Sequence, residues 1–270
     1  TPPAGGFSRM RLRYPAPSGM CRNFLPSLTS TQGRTVTILR DLAAAIAWGF
    51  CRFVIPSYAP PERWPALAAQ ALSDAVGELG LDALPWTDGL RQWRERVRCL
   101  REWMPELGLP DLSDEALLAS RGHWLQPAFA GKTRLDALDE QTLGEALKSG
   151  IDWSLRQRID TLAPRRISVP SGQDRPVTYA LGSSPVLAVK LQELFGLADT
   201  PRVADGRVPV LLHLLSPGGK PLQVTQDLRS FWASTYPEVK KEMKGRYPRH
   251  PWPDDPWTAT ATHRAKPRGT

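Results

Sequence analysis

The apolar positions of this chain change their spacing near its middle. From residue 60 they recur at intervals of three and four: Trp64, Leu67, Ala68, Ala71, Leu72, Ala75, Val76 and Leu79 line one helix face, and Gly80 stops it. A second helix is predicted behind Thr87 and Asp88, either of which can cap it. Leu90, Trp93, Val97, Leu100 and Met104 fall on one side, and Pro105 ends it. Arg91, Arg94, Arg98 and Arg101 fall on the other side, a row that reads first as a solvated face. Ser113-Asp114-Glu115 opens a short helix with its acids where the helix dipole favours them. Residues 139–148 and 152–162 read as two more, separated by Gly150 and closed by Pro164.

After Pro164 the period shortens. Residues 167–169 and 177–181 are strand-like around Pro170-Ser171-Gly172-Gln173-Asp174, a hairpin signal. Ser184-Pro185 is expected to start a helix carrying Leu187, Leu191, Leu194 and Phe195, stopped by Gly196. A strand is expected over 208–215, with Pro209 marking an edge or a start, and Ser216-Pro217-Gly218-Gly219 turns the chain into another at 222–224. Thr225 is read as the cap of a helix with Leu228, Phe231 and Trp232. Thr235 and Glu238 have capping-box spacing, so a new helix is predicted there, running to Lys244 and ending at Gly245. Pro248, Pro251, Pro253 and Pro256 exclude helix and central strand, leaving an extended tail that rests on the body.

The fold class is therefore α+β: an N-terminal helical bundle region, then a small mixed region of hairpin, helices and short strands, with an extended Pro-rich tail. The boundaries expected are 1–59, an atypical basic segment; 60–164, a helical accessory region; 165–257, an α+β region; and 258–270, a disordered basic tail. The chain starts at Thr1, and the Arg-rich, acid-poor composition of its first segment suggests a truncated or mis-framed piece of a longer protein, ahead of an organelle leader.

Charge adds a partner class to this picture. The net charge is +8, and residues 1–58 hold seven Arg against one Asp, while 229–270 hold nine Lys or Arg against four acids. The middle is slightly acidic. Cationic ends attract phosphate polyanions through counterion release, or are simply solvated. Cys21, Cys51 and Cys99 stand far apart, which suggests neither zinc nor a disulfide framework and fits a reducing, cytoplasmic setting. The best membrane candidate, residues 42–55, is too short and contains Arg52, so no membrane partner is expected.

Several motifs imitate active sites. Gly131-Lys132-Thr133 resembles the end of a phosphate-binding loop, but Gly122 lies nine residues upstream where that loop needs five, and no strand is predicted before it. His123, His213, His250 and His263 lack metal-ligand spacing, and His213 reads as a packed residue in an apolar strand. Asp254-Asp255 imitates a carboxylate pair, yet neighbours in a proline-bounded loop diverge. They are expected to be solvated or paired with Arg246 or Arg249.

The tail carries the candidate chemistry. Single-stranded nucleic acid is held by cations along its backbone and rings beneath its bases. Lys240, Lys241, Lys244, Arg246, Tyr247, Arg249 and Trp252 supply both within thirteen residues. The competing reading is that Trp252 and Trp257 pin the tail to the protein's own surface, which leaves the lysines as the better contacts.

The order of these elements resembles the C-terminal region of the HrpB-type bacterial ATP-dependent helicases. The resemblance rests on Leu81-Asp82-Ala83-Leu84-Pro85-Trp86-Thr87, Leu112-Ser113-Asp114-Glu115-Ala116-Leu117-Leu118 and Asp160. It continues through Leu162-Ala163-Pro164, Val169-Pro170-Ser171-Gly172, the string Pro185-Val186-Leu187-Ala188-Val189-Lys190-Leu191-Gln192-Glu193-Leu194-Phe195-Gly196, Thr200-Pro201, Gly206-Arg207-Val208-Pro209 and Leu214-Leu215-Ser216-Pro217, into the tail. It implies helical and oligonucleotide-binding accessory parts that follow two RecA-like motor domains, which use ATP and Mg to move on RNA or single-stranded nucleic acid. No motor motif occurs here, so no cofactor and no ATP turnover are expected of this chain alone. The partners implied are RNA or single-stranded nucleic acid and the motor domains in cis. The alternative is a docking module that binds a protein partner or the motor without touching nucleic acid.

Overall fold

In a computed structural model of the chain, residues 63–264 are described; the basic segment 1–59 and the last residues of the tail, 265–270, lie outside them. Helices come first, and their ends follow the local chemistry. α1 (Trp64–Leu79) has Pro65 in its first turn, where a missing N–H costs nothing, and stops at Gly80, whose φ of +85° favours a residue without a Cβ. α2 (Asp88–Trp103) is capped by Thr87, whose Oγ1 accepts from Leu90 N at 3.3 Å. Ser113 caps α3 (Asp114–Ala119), which leads into the single turn α4 (Arg121–Trp124). α5 (Glu140–Lys148) is capped by Asp139, and α6 (Trp153–Leu162) closes the layer. Gly144 lets α5 approach α2: a Cβ there would lie 3.1 Å from Leu90 Cδ2.

The second layer is a five-stranded sheet in the order β1-β2-β3-β6-β7. β1 (Arg166–Ser168) and β2 (Asp174–Thr178) form the expected hairpin. β3 (Val186–Lys190) pairs antiparallel with β2 and parallel with β6 (Leu211–Leu215), and β7 (Pro221–Thr225) closes the far edge antiparallel to β6. A separate ribbon, β4 (Arg202–Val203) with β5 (Val208–Pro209), occupies the crossover between β3 and β6. Pro209 thus sits in a two-stranded edge ribbon, where its missing N–H is tolerated.

Three readings of the sequence change here. The helix expected after Pro185 is strand β3 followed by a 3₁₀ turn, Leu191–Glu193. The run supports both periods, since Leu187, Leu191, Leu194 and Phe195 fit a helix face while Leu187 and Val189 alternate with exposed Ala188. The parallel ladder to β6 decides it, with Leu187 and Val189 almost wholly buried. Secondly, the strand expected over 208–215 is broken at Val210, whose N–H donates to Pro201 O at 2.9 Å.

Thirdly, no capping box interrupts the last helix. α7 (Leu228–Ser230), capped by Asp227 and not by Thr225, runs through a π-helical segment, Phe231–Thr235, into α8 (Tyr236–Arg246). Thr235 makes no side-chain cap, and Tyr236 N–H reaches back five residues to Phe231 O. The wide turn keeps Phe231, Trp232 and Tyr236 on the buried face; Trp232 and Tyr236 stack edge-on with centroids 5.3 Å apart, and both touch Phe195. Gly245 lies within α8, which ends at Tyr247.

The two layers share one core from Ala69 to Trp252. Polar seams join them. Gln92 of α2 exchanges both amide bonds with the backbone of Tyr179 (2.9 and 3.3 Å), and the Tyr179 hydroxyl donates to Pro164 O at 2.7 Å. Among the described residues no helix is long and apolar enough to cross a membrane.

Candidate nucleic-acid interface

α8 positions most of the cations singled out in the sequence. Its buried side is set by Tyr236 and Met243, so Lys241, Lys244 and Arg246 project into solvent. Arg246 forms an i,i+4 pair with Glu242 at 3.4 Å, a surface contact of little cost to break. Arg249 is exposed just beyond the helix end. Lys241 and Lys244 are about one turn apart on one flank of the helix, and Arg246 lies on the other.

Lys240, Tyr247 and Trp252 are less exposed. The Lys240 side chain is only 17% exposed and is ion-paired with Asp254. Tyr247 is half-buried beside His250 and the Gly218 turn, where a Cβ on Gly218 would lie 2.8 Å from its hydroxyl. Trp252 is 8% exposed, and its Nε1 donates to Tyr247 O at 3.0 Å. The indole is occupied as an anchor and offers no free face for a base.

Behind the helix, residues 248–256 run without helix or strand and are tied down at several points. The Tyr236 hydroxyl donates to Pro253 O at 2.9 Å, and Gly196 N donates to Pro256 O at 2.9 Å. Burial pushes the Tyr236 phenol well above its ordinary pKa, so it remains a donor throughout the neutral range. Residues 258–264, the described part of the stretch 258–270 expected to be a disordered basic tail, continue along the body: Thr262 N donates to Gln192 O at 3.0 Å, and Ala259 and Ala261 pack on the core.

The acidic pair of the strap divides its roles. Asp254 meets Lys240, while Asp255 accepts from Trp257 N at 2.9 Å and from the Thr258 hydroxyl at 2.5 Å. The partners expected, Arg246 and Arg249, are not the ones found. Hydrogen bonding to Lys240 holds the Asp254 carboxyl below its usual range, as the Thr258 contact does for Asp255. No spacing rule in the sequence links Asp254 to a lysine 14 positions earlier, and the Tyr236 tether was equally hidden.

The other candidates resolve locally. Every arginine of the α2 row has an acid: Asp82 for Arg91, Asp114 for Arg94, Glu95 for Arg98 and Asp111 for Arg101. Arg91 and Arg94 also lie over Trp86, 5.8 and 5.6 Å from its centroid. Arg94 and Arg98 are largely buried in their ion pairs, whereas those of Arg91 and Arg101 are exposed surface contacts. Gly131-Lys132-Thr133 follows a 3₁₀ turn, Gln126–Phe129, and not a strand, with Gly131 at φ +72°. His213 is half-buried in β6, in a cross-sheet row with Ala188 and Val224.

A family model described as ATP-dependent helicase C-terminal matches residues 124–256, from α4 to the last proline of the strap. The end of the helical layer, the mixed sheet and the strapped cationic helix thus match the C-terminal region of an ATP-dependent helicase. The chain is 44% identical over 197 residues to the ATP-dependent RNA helicase HrpB of Escherichia coli (strain K12), covering 73% of this chain and 24% of that protein. A crystal structure of the E. coli DExH-box NTPase HrpB superposes with a TM-score of 0.72 at 42% identity, over 78% of this chain and 26% of that one. A crystal structure of the E. coli DEAH/RHA helicase HrpB gives 0.62 at 40% identity, over 75% and 25%. The chain belongs to the HrpB-type helicases, as their C-terminal region. It spans about a quarter of the length of these relatives, and the described residues contain no RecA-like motor.

Proposed function

We propose that this region assists the binding or orientation of RNA or single-stranded nucleic acid while motor domains in cis hydrolyse ATP. One observation carries the reading: Lys241 and Lys244 stand exposed about one turn apart on α8 and share a hollow with Lys240, on a helix held by the strap and the Phe195–Trp232–Tyr236 cluster, with Arg246 and Arg249 exposed near its end. Cations on a held helix can track a phosphate backbone, and such binding needs no base recognition. Stacking on Trp252 is no part of it, because the indole is buried. The cytoplasmic setting suggested by the scattered cysteines belongs to the same proposal.

Titration of a fluorescent single-stranded RNA at several salt concentrations tests the reading. Each phosphate contact contributes about −0.7 to the slope of log K against log salt for a single strand, so Lys241→Ala with Lys244→Ala should flatten it by about 1.4. Absence of binding at low salt would defeat it. The docking alternative would then lead, and it draws on Trp153, 71% exposed at the start of α6: replacing that side chain should weaken association with separately supplied motor domains. ATP turnover by this chain alone is expected to be absent.

A further inference from the structure

The hollow beside the strap already contains an anion. Lys240, Lys241 and Lys244, with Tyr236 and Pro237, wall a cavity of about 270 Å³, and Asp254 forms its remaining side with a carboxylate oxygen on Lys240 Nζ. The two partners differ in freedom. The Lys240 stem is largely buried, whereas the Asp254 side chain is fully exposed. The lysine is therefore fixed by the protein and its acid is exchangeable. Backbone anchors on either side make the exchange local: Tyr236 holds Pro253 O, Asp255 turns onto Trp257 N, and Pro256 O is held by Gly196 N. The carboxylate can leave Lys240 without the strap leaving the helix.

An ammonium binds a carboxylate oxygen and a phosphodiester oxygen by the same charge-assisted hydrogen bond. A pair whose acid is fully exposed to water is weakened by solvent, so a second anion held by two further lysines can displace the first. We propose that Asp254 is a built-in competitor at a phosphodiester subsite formed by Lys240, Lys241 and Lys244, and that a nucleic-acid phosphate enters by replacing its carboxylate on Lys240. This rests on the nucleic-acid reading above and adds to it. The outer lysines capture the strand, and Asp254 sets how tightly the inner one joins. An internal acid of this kind keeps the contact weak enough to release as a strand moves past.

The experiment uses the whole chain, a fluorescent 12-nucleotide single-stranded RNA and a salt series. Asp254→Asn should tighten binding about three- to tenfold at low salt and steepen the salt slope by about 0.7, the share of one added phosphate contact. Asp254→Glu should stay near wild type. Lys240→Ala should cost at least threefold more in the Asp254→Asn background than in the wild type, because there Lys240 joins the strand without a competing carboxylate to displace. Tyr236→Phe loosens the strap without changing charge; if it tightens binding as much as Asp254→Asn, strap movement controls the site and the proposal falls. It falls also if wild type and Asp254→Asn bind RNA alike while Lys241→Ala and Lys244→Ala still weaken both. No RNA binding in any variant removes the underlying reading along with it. Inorganic phosphate at constant ionic strength should displace the RNA no better than sulfate does; a clear preference for it would make free phosphate the ligand and overturn the assignment to nucleic acid.

Discussion

Arg96 of α2 donates through Nε to the carbonyl oxygen of Ala163 at 2.5 Å, from a position where its side chain is 1% exposed. The same guanidinium reaches Ile159 O at 3.3 Å and Asp160 at 2.6 Å. A buried cation thus closes the C-terminal end of α6, where the helix dipole favours positive charge and the last carbonyls lack partners. This joint fixes the direction in which the chain leaves the helices for β1.

Replacing Arg96 by Met should cost about 2 kcal/mol, chiefly by stranding the buried Ala163 carbonyl. Asp160→Asn should cost more, about 3 kcal/mol, because it leaves a buried guanidinium without its counter-charge. Urea denaturation of the two variants checks the order. If Asp160→Asn proves the milder, the solvent beside that carboxylate compensates the charge and the carbonyls dominate the joint.

Arg96 also shows where the sequence becomes silent. The helical layer was legible because each of its ends is written locally, in Thr87, Ser113, Asp139, Gly80 and Pro105. Arg96 itself looks like one more polar residue of α2, one position from the apolar stripe. Its burial depends on α6, more than sixty residues away, and nothing local encodes that. The same limit explains β3, where a run compatible with both periods took its conformation from β6. It explains the last helix too: the Thr235 and Glu238 spacing is sound chemistry for a cap, but burying three aromatics on one face outweighed it. Of the candidate interface, the exposed cations of α8 could be read in advance, whereas the Lys240–Asp254 contact could not.

The cap at Asp139 makes stability depend on acid. Its carboxylate accepts from Thr142 N at 2.7 Å, and that bond, reinforced by the Thr142 hydroxyl, holds its pKa below the ordinary value. A depressed carboxyl contributes fully above its unfolded pKa, about 3.9, and the contribution disappears as pH falls through the folded value. Asp139→Asn retains the cap geometry without the titration. Wild type should therefore be the more stable at neutral pH, and the gap in urea midpoints should close as pH drops below about 4. A gap constant down to pH 2 would mean the charge contributes nothing.

Cys99 is 1% exposed on the buried side of α2, and burial, aided by Glu95 and Glu102, pushes its thiol up to about 12. The thiolate is the reactive form, so Cys99 should be inert to thiol reagents at pH 8 in the folded chain and react on unfolding. A variant with Cys21 and Cys51 changed to Ser isolates the signal. The linkage has a definite sign: the folded thiol keeps its proton after the unfolded one has lost it, so stability falls as pH rises from about 8.5 towards the folded value. Rapid labelling in the native state would show that α2 opens locally.

Tyr236 couples the last helix to the strap in two separable ways. Its ring packs edge-on against Phe195 and Trp232, and its hydroxyl holds Pro253. Tyr236→Phe removes only the second and should cost about 1 kcal/mol, the net worth of one hydrogen bond. Tyr236→Ala removes both and should cost about 3–5 kcal/mol, as for other large aromatic truncations in a core. The emission of Trp252 reports where the loss falls, though nine other tryptophans require its difference spectrum against Trp252→Phe. In Tyr236→Phe that component should shift towards longer wavelength before global unfolding, because the strap then detaches ahead of the helix. Coincident transitions would instead make strap and helix one cooperative unit held chiefly by the aromatic cluster.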